Sequence, residues 1–338
     1  MTAQSGPRQE AGVTADVGAR HTESGRRVLS WIGLAVAVGG VAVVLWAVNT
    51  AWGAIVHGQP AYAIVLAVTA VASVLGAILA LRARRRRHRV LRIVAVLLAV
   101  LWIAAVAWLR PHSAAPVAVA AMHSDAGVQV TESVDRVTFT PRHDADSLGV
   151  FFQPGALVDA RAYAAVLRPL AEHGHTVVIA KQPLGIAFLA MGAFDAARHD
   201  HPEIADWIIG GHSLGGTVAA ITAQDAQHDD PGAAAGLLLF AAYPATDISA
   251  TLAVPVESLS GSRDGLATPA KIAASHATLP PSTRFIVIEG ASHAQFGAYG
   301  PQAGDGVPTI DAADAREQSS AAALAFAAAV ARTDGPGR

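Results

Sequence analysis

Three long apolar runs dominate the first third of the chain. The runs at residues 28–48 and 61–81 carry no charged side chain, and the run at residues 90–109 has only Arg92 near its start. A run of 21 helical residues extends about 31 Å, enough to cross a hydrocarbon core of about 30 Å. The pattern predicts a membrane domain at residues 28–110 with three transmembrane helices, preceded by a disordered tail at residues 1–27.

After a linker at residues 111–127, the apolar runs shorten to strand length. Residues 128–132 and 136–140 alternate apolar and polar side chains, which predicts an antiparallel pair. Continuous apolar runs, typical of strands buried on both faces, follow at residues 148–152, 176–180, 207–210, 237–241, 254–260 and 284–289. Helical patterns occupy residues 160–173, 190–199, 214–227, 269–277 and 311–331. This alternation predicts an α/β fold with a mostly parallel, doubly wound sheet in one domain, residues 128–332, with a short tail at residues 333–338.

Composition and charge support the division into two regions. The chain is 52% hydrophobic and 15% charged, and residues 1–110 hold 12 of the 24 basic side chains but only 3 of the 26 acidic ones. The acidic remainder has no basic patch for nucleic acid, so nucleic-acid binding is not expected. The sequence has no cysteine, which excludes disulfides, a thiolate nucleophile and Cys-bound metal. No cofactor is expected.

The arginine-rich stretch "RARRRRHR", residues 82–89, predicts the topology. It lies between the second and third predicted spans, and the positive-inside rule places it on the cytoplasmic side. The connection at residues 49–60 has no charge and can cross. We therefore expect a multi-pass protein in the bilayer with a cytoplasmic N-terminus, whose domain after Arg110 is extracytoplasmic.

The stretch "GGHSLGG", residues 210–216, joins a predicted strand to a predicted helix and contains a candidate nucleophile, Ser213. A serine at such a tight turn is held above the sheet, and the flanking Gly211 and Gly215 let neighbouring backbone approach. His212 is expected to shape the turn or the pocket. The alternative, a phosphate-binding turn, lacks the lysine of a P-loop and the spacing of a G-x-G-x-x-G fingerprint.

A serine nucleophile needs a base, and the base needs an orienting acid. Asp264 follows one predicted strand in "SGSRDGL", and His293 follows the last predicted strand in "EGASHAQFG". Both therefore lie at the carboxyl ends of strands, the edge where Ser213 is expected. Asp247 is the alternative acid, whereas Glu257 falls inside a strand and is expected to pack or pair.

Two further features bear on the site. The amide of Leu214, together with that of Ala156 or Gly155 in "FFQPGALVD", is expected to form an oxyanion hole. No metal site is expected, because the pairs His173/His175 and His199/His201 lack a third ligand at a recognisable spacing. Candidate pocket walls, for which ordinary core packing is the alternative, are Phe188, Leu189, Met191, Phe194, Phe296 and Tyr299.

These motifs, with "FFQPGALVDARAYAAVLRPLAEHGHTVVIAKQPLGIAF" and "EGASHAQFGAYGPQAGDG", resemble the α/β-hydrolase superfamily, in particular small bacterial proteins related to dienelactone hydrolases. The resemblance covers residues 128–331 and implies an α/β-hydrolase fold preceded by three transmembrane helices. It implies a serine hydrolase with Ser213, Asp264 and His293 as triad, acting on a small ester or related acyl compound. A non-catalytic binding module and an acyltransferase of the cell envelope remain alternatives. Neither the substrate nor the oligomeric state is indicated.

Overall fold

The computed structural model describes residues 10–82, 89–229 and 232–333. The chain divides into two compact units. One contains the residues up to Thr50 together with Ala63–Arg110, and the other contains Ala51–Tyr62 together with the residues from Pro111 onward. The connection between the first two predicted spans therefore belongs to the same unit as the predicted catalytic domain.

Three helices form the apolar part of the chain: α1 (Glu10–His57), α2 (Ala61–Arg82) and α3 (Arg89–Trp108). They are long and apolar enough to cross a membrane over Val28–His57, Ala61–Arg82 and Val90–Trp108. Few of their side chains are buried, and large apolar ones such as Leu79 and Leu101 are exposed. This outward apolar surface is typical of helices that lie in lipid.

The sequence prediction differs from the structure at both ends of the first span. The tail predicted to be disordered is helical from Glu10, and the connection predicted at residues 49–60 is helical to His57, with a kink at Ala51. No proline interrupts residues 10–57, so helix propagation continues once the apolar span is formed, whereas Pro60 prevents it from going further. Residues 1–9, the arginines at 84–87 and the tail beyond residue 333 lie outside the described residues.

The second unit is built on an eight-stranded sheet with the order β1-β2-β4-β3-β5-β6-β7-β8. The strands are β1 (Val128–Glu132), β2 (Arg136–Pro141), β3 (Leu148–Gln153), β4 (Val177–Ala180), β5 (Asp206–His212), β6 (Ala233–Phe240), β7 (Val256–Gly261) and β8 (Arg284–Ile288). Strand β2 pairs antiparallel with β1 and with β4, and the pairs from β4 to β8 are parallel. The predicted antiparallel pair and parallel sheet are both present.

Helices cover both faces of this sheet. They are α4 (Pro116–Ala120), α5 (Ala164–Glu172), α6 (Ala193–Asp200), α7 (Leu214–Ala226), α8 (Pro269–Ser275) and α9 (Ala312–Thr333). Consecutive residues of β3 point to opposite faces, so Phe152 packs in the core under α5 and α9, whereas Phe151 packs in the core under α6 and α7. The predicted linker is not a free connection, because it contains α4 and pairs at His112 with Val158. Burial on both faces explains why these strands are apolar throughout.

Candidate active site

Ser213 lies at a sharp turn between β5 and α7. Its backbone angles are φ 52° and ψ −122°, a region that L residues rarely adopt. A Cβ atom on Gly211 would collide with the backbone of Gly215, and one on Gly215 would collide with the carbonyl groups of Gln153 and Pro154. Only glycine therefore fits at these two positions, and the turn leaves Ser213 partly exposed at the carboxyl edge of the sheet.

Asp264 and His293 meet at the same edge. Asp264 follows β7, His293 follows β8, and the His293 Nδ1 atom lies 2.8 Å from Oδ2 of Asp264. Both residues are buried. The Oδ1 atom of Asp264 accepts hydrogen bonds from the amides of Leu266 and Ala267, both at 2.8 Å. A carboxylate can only accept, so Nδ1 carries the proton and the Nε2 atom of His293 is left as the acceptor.

The His293 ring lies next to the turn that carries Ser213. Its centroid is 4.5 Å from that of His212, the residue immediately before the serine. The Ser213 Oγ atom makes no hydrogen bond with another described residue. Serine–histidine hydrogen bonds are often long or poorly aligned without substrate. The fold thus gathers the three predicted triad residues, which lie on three separate loops, at one edge.

His212 is tied to a buried tyrosine. Its Nδ1 atom lies 2.7 Å from the hydroxyl of Tyr163, which accepts a hydrogen bond of 2.9 Å from the amide of Gly155. Burial and the nearby charge of His293 lower the pKa of His212 well below its ordinary value, and burial raises the pKa of Tyr163. Both groups therefore stay neutral, so His212 does not oppose positive charge on His293.

These contacts reduce the number of backbone amides that could form the predicted oxyanion hole. Leu214 is the first residue of α7, and the first amides of a helix have no partner within that helix. The amide of Gly155 already donates to Tyr163, which removes it from the candidate donors. Among the described residues, the amide of Ala156 has no hydrogen-bond partner. The available pair is therefore Leu214 and Ala156.

Asp305, which no motif in the sequence singles out, joins the loop of Asp264 to the loop of His293. The Oδ1 atom of Asp305 accepts hydrogen bonds from the amides of Gly265 at 3.1 Å and His293 at 3.0 Å, and Oδ2 accepts one from Ala294 at 2.9 Å. Burial raises the pKa of Asp305, but these amides outweigh it and hold the pKa below its ordinary value. The sequence signal is only an aspartate between two glycines, typical of a turn.

The alternative acids lie elsewhere. Asp247 is exposed, and hydrogen bonds from the side chain and the amide of Ser249 lower its pKa. Glu257 is buried in β7, where an oxygen of its carboxylate lies 3.2 Å from Arg284 on β8. Burial nevertheless raises the pKa of Glu257 to about 7. Of the three carboxylates considered as the acid, Asp264 is the one that contacts the imidazole ring of His293.

The histidine pairs do not converge on a shared centre. His173 lies 2.7 Å from the carbonyl of Pro169, and His175 lies 2.8 Å from Asp146. Within the described part of the chain, no group of three or more His, Asp or Glu side chains could hold a metal ion.

The predicted pocket walls fall into two groups. Phe194 and Phe296 are core residues: Phe194 packs edge to face against Trp207, and Phe296 packs near Phe240. Tyr299 is largely buried as well. The other three side chains are exposed: Phe188, Leu189 and Met191.

The alpha/beta hydrolase family matches residues 149–317, half of the chain. The chain belongs to this family. The match begins in β3 and ends in α9, so it contains Ser213, Asp264 and His293. The resemblance inferred from the motifs and the predicted fold class are confirmed.

Solved structures of similar fold include esterases and dienelactone hydrolases. An esterase from Thermogutta terrifontis with bound butyrate is 16% identical, with 61% of this chain and 95% of that chain covered, at a TM-score of 0.43. A protein described as a putative dienelactone hydrolase from Klebsiella pneumoniae is 14% identical, with coverage of 60% and 98% and a TM-score of 0.45. A dienelactone hydrolase-like promiscuous phosphotriesterase from metagenomic libraries is 15% identical, with coverage of 58% and 92% and a TM-score of 0.43. No curated protein matches the chain.

Proposed function

We propose that this chain is a membrane-anchored serine hydrolase that cleaves carboxylic esters or related acyl compounds. The observation that carries the proposal is the buried contact of 2.8 Å between His293 and Asp264, beside the strained turn of Ser213. A binding function alone does not require a base paired with an acid next to a serine in an unfavourable backbone conformation.

The proposed reaction has two steps. His293 Nε2 takes the proton of Ser213 Oγ, which attacks the acyl carbon, and the ester C–O bond breaks as His293 returns the proton to the leaving alkoxide. Water, deprotonated by His293, then attacks the acyl-serine, and the acid is released as Ser213 regains its proton. Asp264 stabilises the imidazolium in both steps, and the amides of Leu214 and Ala156 stabilise the oxyanion.

The decisive test uses a fluorophosphonate probe and a panel of esters. The full chain in detergent should react with the probe and cleave at least one ester, and Ser213→Ala should abolish labelling and lower kcat by about 10⁴-fold or more. Thr217→Ala changes another hydroxyl residue, in the first turn of α7, and is the matched control. If the probe leaves Ser213 untouched and no ester is cleaved, the chain is not a serine hydrolase.

The membrane topology is part of the proposal. Three candidate spans, with the arginine-rich stretch between the second and third, would place the N-terminus in the cytoplasm and the hydrolase domain outside. A reporter fused after His112 that functions only outside the cytoplasm should be active. Activity of a reporter that functions only in the cytoplasm would reverse this orientation.

A further inference from the structure

The segment that follows the third candidate span is fixed on the loop that carries Ala156. The amide of His112 donates to the carbonyl of Leu157 at 2.6 Å, and the amide of Asp159 donates to the carbonyl of His112 at 2.9 Å. Helix α3 ends at Trp108. The four residue steps from Trp108 to His112 extend at most about 14 Å. Only four residue steps of chain therefore separate the end of α3 from a residue that is hydrogen-bonded to this loop.

Residues at the end of the first candidate span contact the same part of the hydrolase unit. Residues Ala51–Tyr62 belong to that unit, and a Cβ atom on Gly53, inside the first candidate span, would lie 3.0 Å from the guanidinium of Arg161. Arg161 in turn pairs with Asp159 at 2.6 Å. Asp159, just after the loop of Ala156, thus bonds to His112 and to the residue that lies next to Gly53.

An exposed apolar patch is bonded to the same loop. The patch consists of Phe188, Leu189 and Met191, which are 47%, 54% and 40% exposed. The carbonyl of Gly185, at the start of this segment, accepts a hydrogen bond of 2.8 Å from the amide of Leu157. Leu157 therefore bonds both to Gly185, at the start of the segment that carries the patch, and to His112.

This patch needs an apolar partner. Residues 183–194 carry no charged side chain, and burying one large apolar side chain contributes about 1.5–3 kcal/mol. Clustered exposed apolar side chains of this kind mark binding surfaces. The segment also adjoins the nucleophile, since Gln153 at the end of β3 donates to the carbonyl of Ala190 and its own carbonyl contacts Gly215. Gln153 therefore contacts both the segment of the patch and the start of α7, which follows Ser213.

We propose that the substrates are acyl esters held in the membrane, whose acyl chain lies on the patch while the ester carbonyl reaches Ser213. The occupant of the patch is a lipid acyl chain because the segment of the patch bonds to Leu157, which also bonds to His112, four residues after the third candidate span. The inference rests on the proposed function of Ser213, and the reaction is the hydrolysis described above with a lipid ester as substrate.

The test compares two esters of one fluorogenic alcohol, using the full chain reconstituted in phosphatidylcholine vesicles. Umbelliferyl oleate partitions into the bilayer, whereas umbelliferyl acetate is water-soluble. The double variant Phe188→Ser/Leu189→Ser should lower kcat/KM for the oleate about tenfold or more, with less than about a threefold change for the acetate. Val287→Ser, at a 53% exposed position of β8 at the far edge of the sheet, is the matched control.

Two results would overturn the inference while leaving the proposed function intact. One is cleavage of the acetate but not of the oleate by the unaltered chain, and the other is an equal loss on both esters in the double variant. Phe188→Leu, which keeps an apolar side chain, should retain cleavage of the oleate and thus separates loss of the surface from loss of folding. Failure of the proposed function is distinguishable, because then neither ester is cleaved and Ser213 is not labelled by the probe.

Discussion

Two groups of residues to which the proposals assign a role can be compared. In one group, Asp264, His293 and Asp305 are held by hydrogen bonds that link two loops, and the first two are almost fully buried. In the other group, Phe188 and Leu189 expose about half of their surface and lie in a segment of short 3-10 turns. The groups assigned to proton transfer are preorganised, as electrostatic catalysis requires, whereas the surface assigned to the acyl chain is open. Under the proposed function, this difference predicts that the catalytic groups keep one geometry, whereas the surface assigned to the acyl chain accepts chains of varied shape.

The largest effect should come from the acid itself. Asp264→Asn removes the charge that stabilises a protonated His293 and permits the wrong histidine tautomer, so kcat should fall by about 10³–10⁴-fold with little change in KM. Ester hydrolysis and probe labelling measure this loss. Asp247→Asn is the matched control and should retain activity. An inactive Asp247→Asn variant beside an active Asp264→Asn variant would assign the acid to Asp247.

The next effect concerns the residue that joins the two loops. Asp305→Asn replaces one acceptor oxygen by a donor, so one or more of the amides of Gly265, His293 and Ala294 lose their acceptor and the His293 loop shifts. Since misplacement by about 1 Å can cost about 100-fold, we expect kcat to fall about 10- to 100-fold while KM changes little.

Asp305→Glu and Asp311→Asn are the comparison variants. Asp305→Glu keeps the charge and should recover part of kcat, and Asp311→Asn alters an exposed carboxylate and should have no effect. A loss of thermal stability in Asp305→Asn without a change in kcat would mean that Asp305 acts only on the fold.

A smaller effect is expected from the tyrosine that supports the turn. Tyr163→Phe leaves the amide of Gly155 without its acceptor and the Nδ1 atom of buried His212 without its donor, which should lower the free energy of unfolding by about 1–3 kcal/mol. Chemical denaturation measures this change, with Tyr243→Phe as the control. An unchanged denaturation midpoint would show that water replaces the Tyr163 hydroxyl. The turn that carries His212 would then be held less rigidly than its hydrogen bonds suggest.

The smallest effect should be the pH dependence set by Glu257. Burial raises its pKa from 4.5 to about 7, and, in contrast to Asp305, its carboxylate accepts no hydrogen bond from the part of the chain that the structure describes. A carboxyl group with a raised folded-state pKa stabilises the fold fully below its unfolded pKa, and this contribution is lost as the pH rises from about 4.5 through about 7. Glu257→Gln should therefore reduce the change in melting temperature with pH across this range. An unchanged slope would show that Arg284 keeps Glu257 charged.

Much of the fold follows from local pattern. The strands begin and end within four residues of the predicted limits, because a strand buried on both faces must be apolar throughout and turn residues flank it. Ser213, Asp264 and His293 could also be predicted as a candidate triad, since each lies in the turn or loop after a strand and parallel strands end at a common edge. The end of the first span was less predictable, because no proline interrupts the helix between the predicted end at residue 48 and Pro60.

The three apolar spans, the α/β order and the candidate serine, acid and base could be read from the sequence, because these depend on periodicity and chain order. The folded chain was needed to see which of the candidate oxyanion amides has no partner among the described residues, since Gly155 is engaged by Tyr163. It likewise revealed Asp305 as the link between two loops distant in sequence. Hydrophobic burial leaves a periodic pattern in a sequence, and the spans and strands could therefore be predicted. Hydrogen bonds between distant residues leave no such pattern, so the contacts of Gly155 and Asp305 could not.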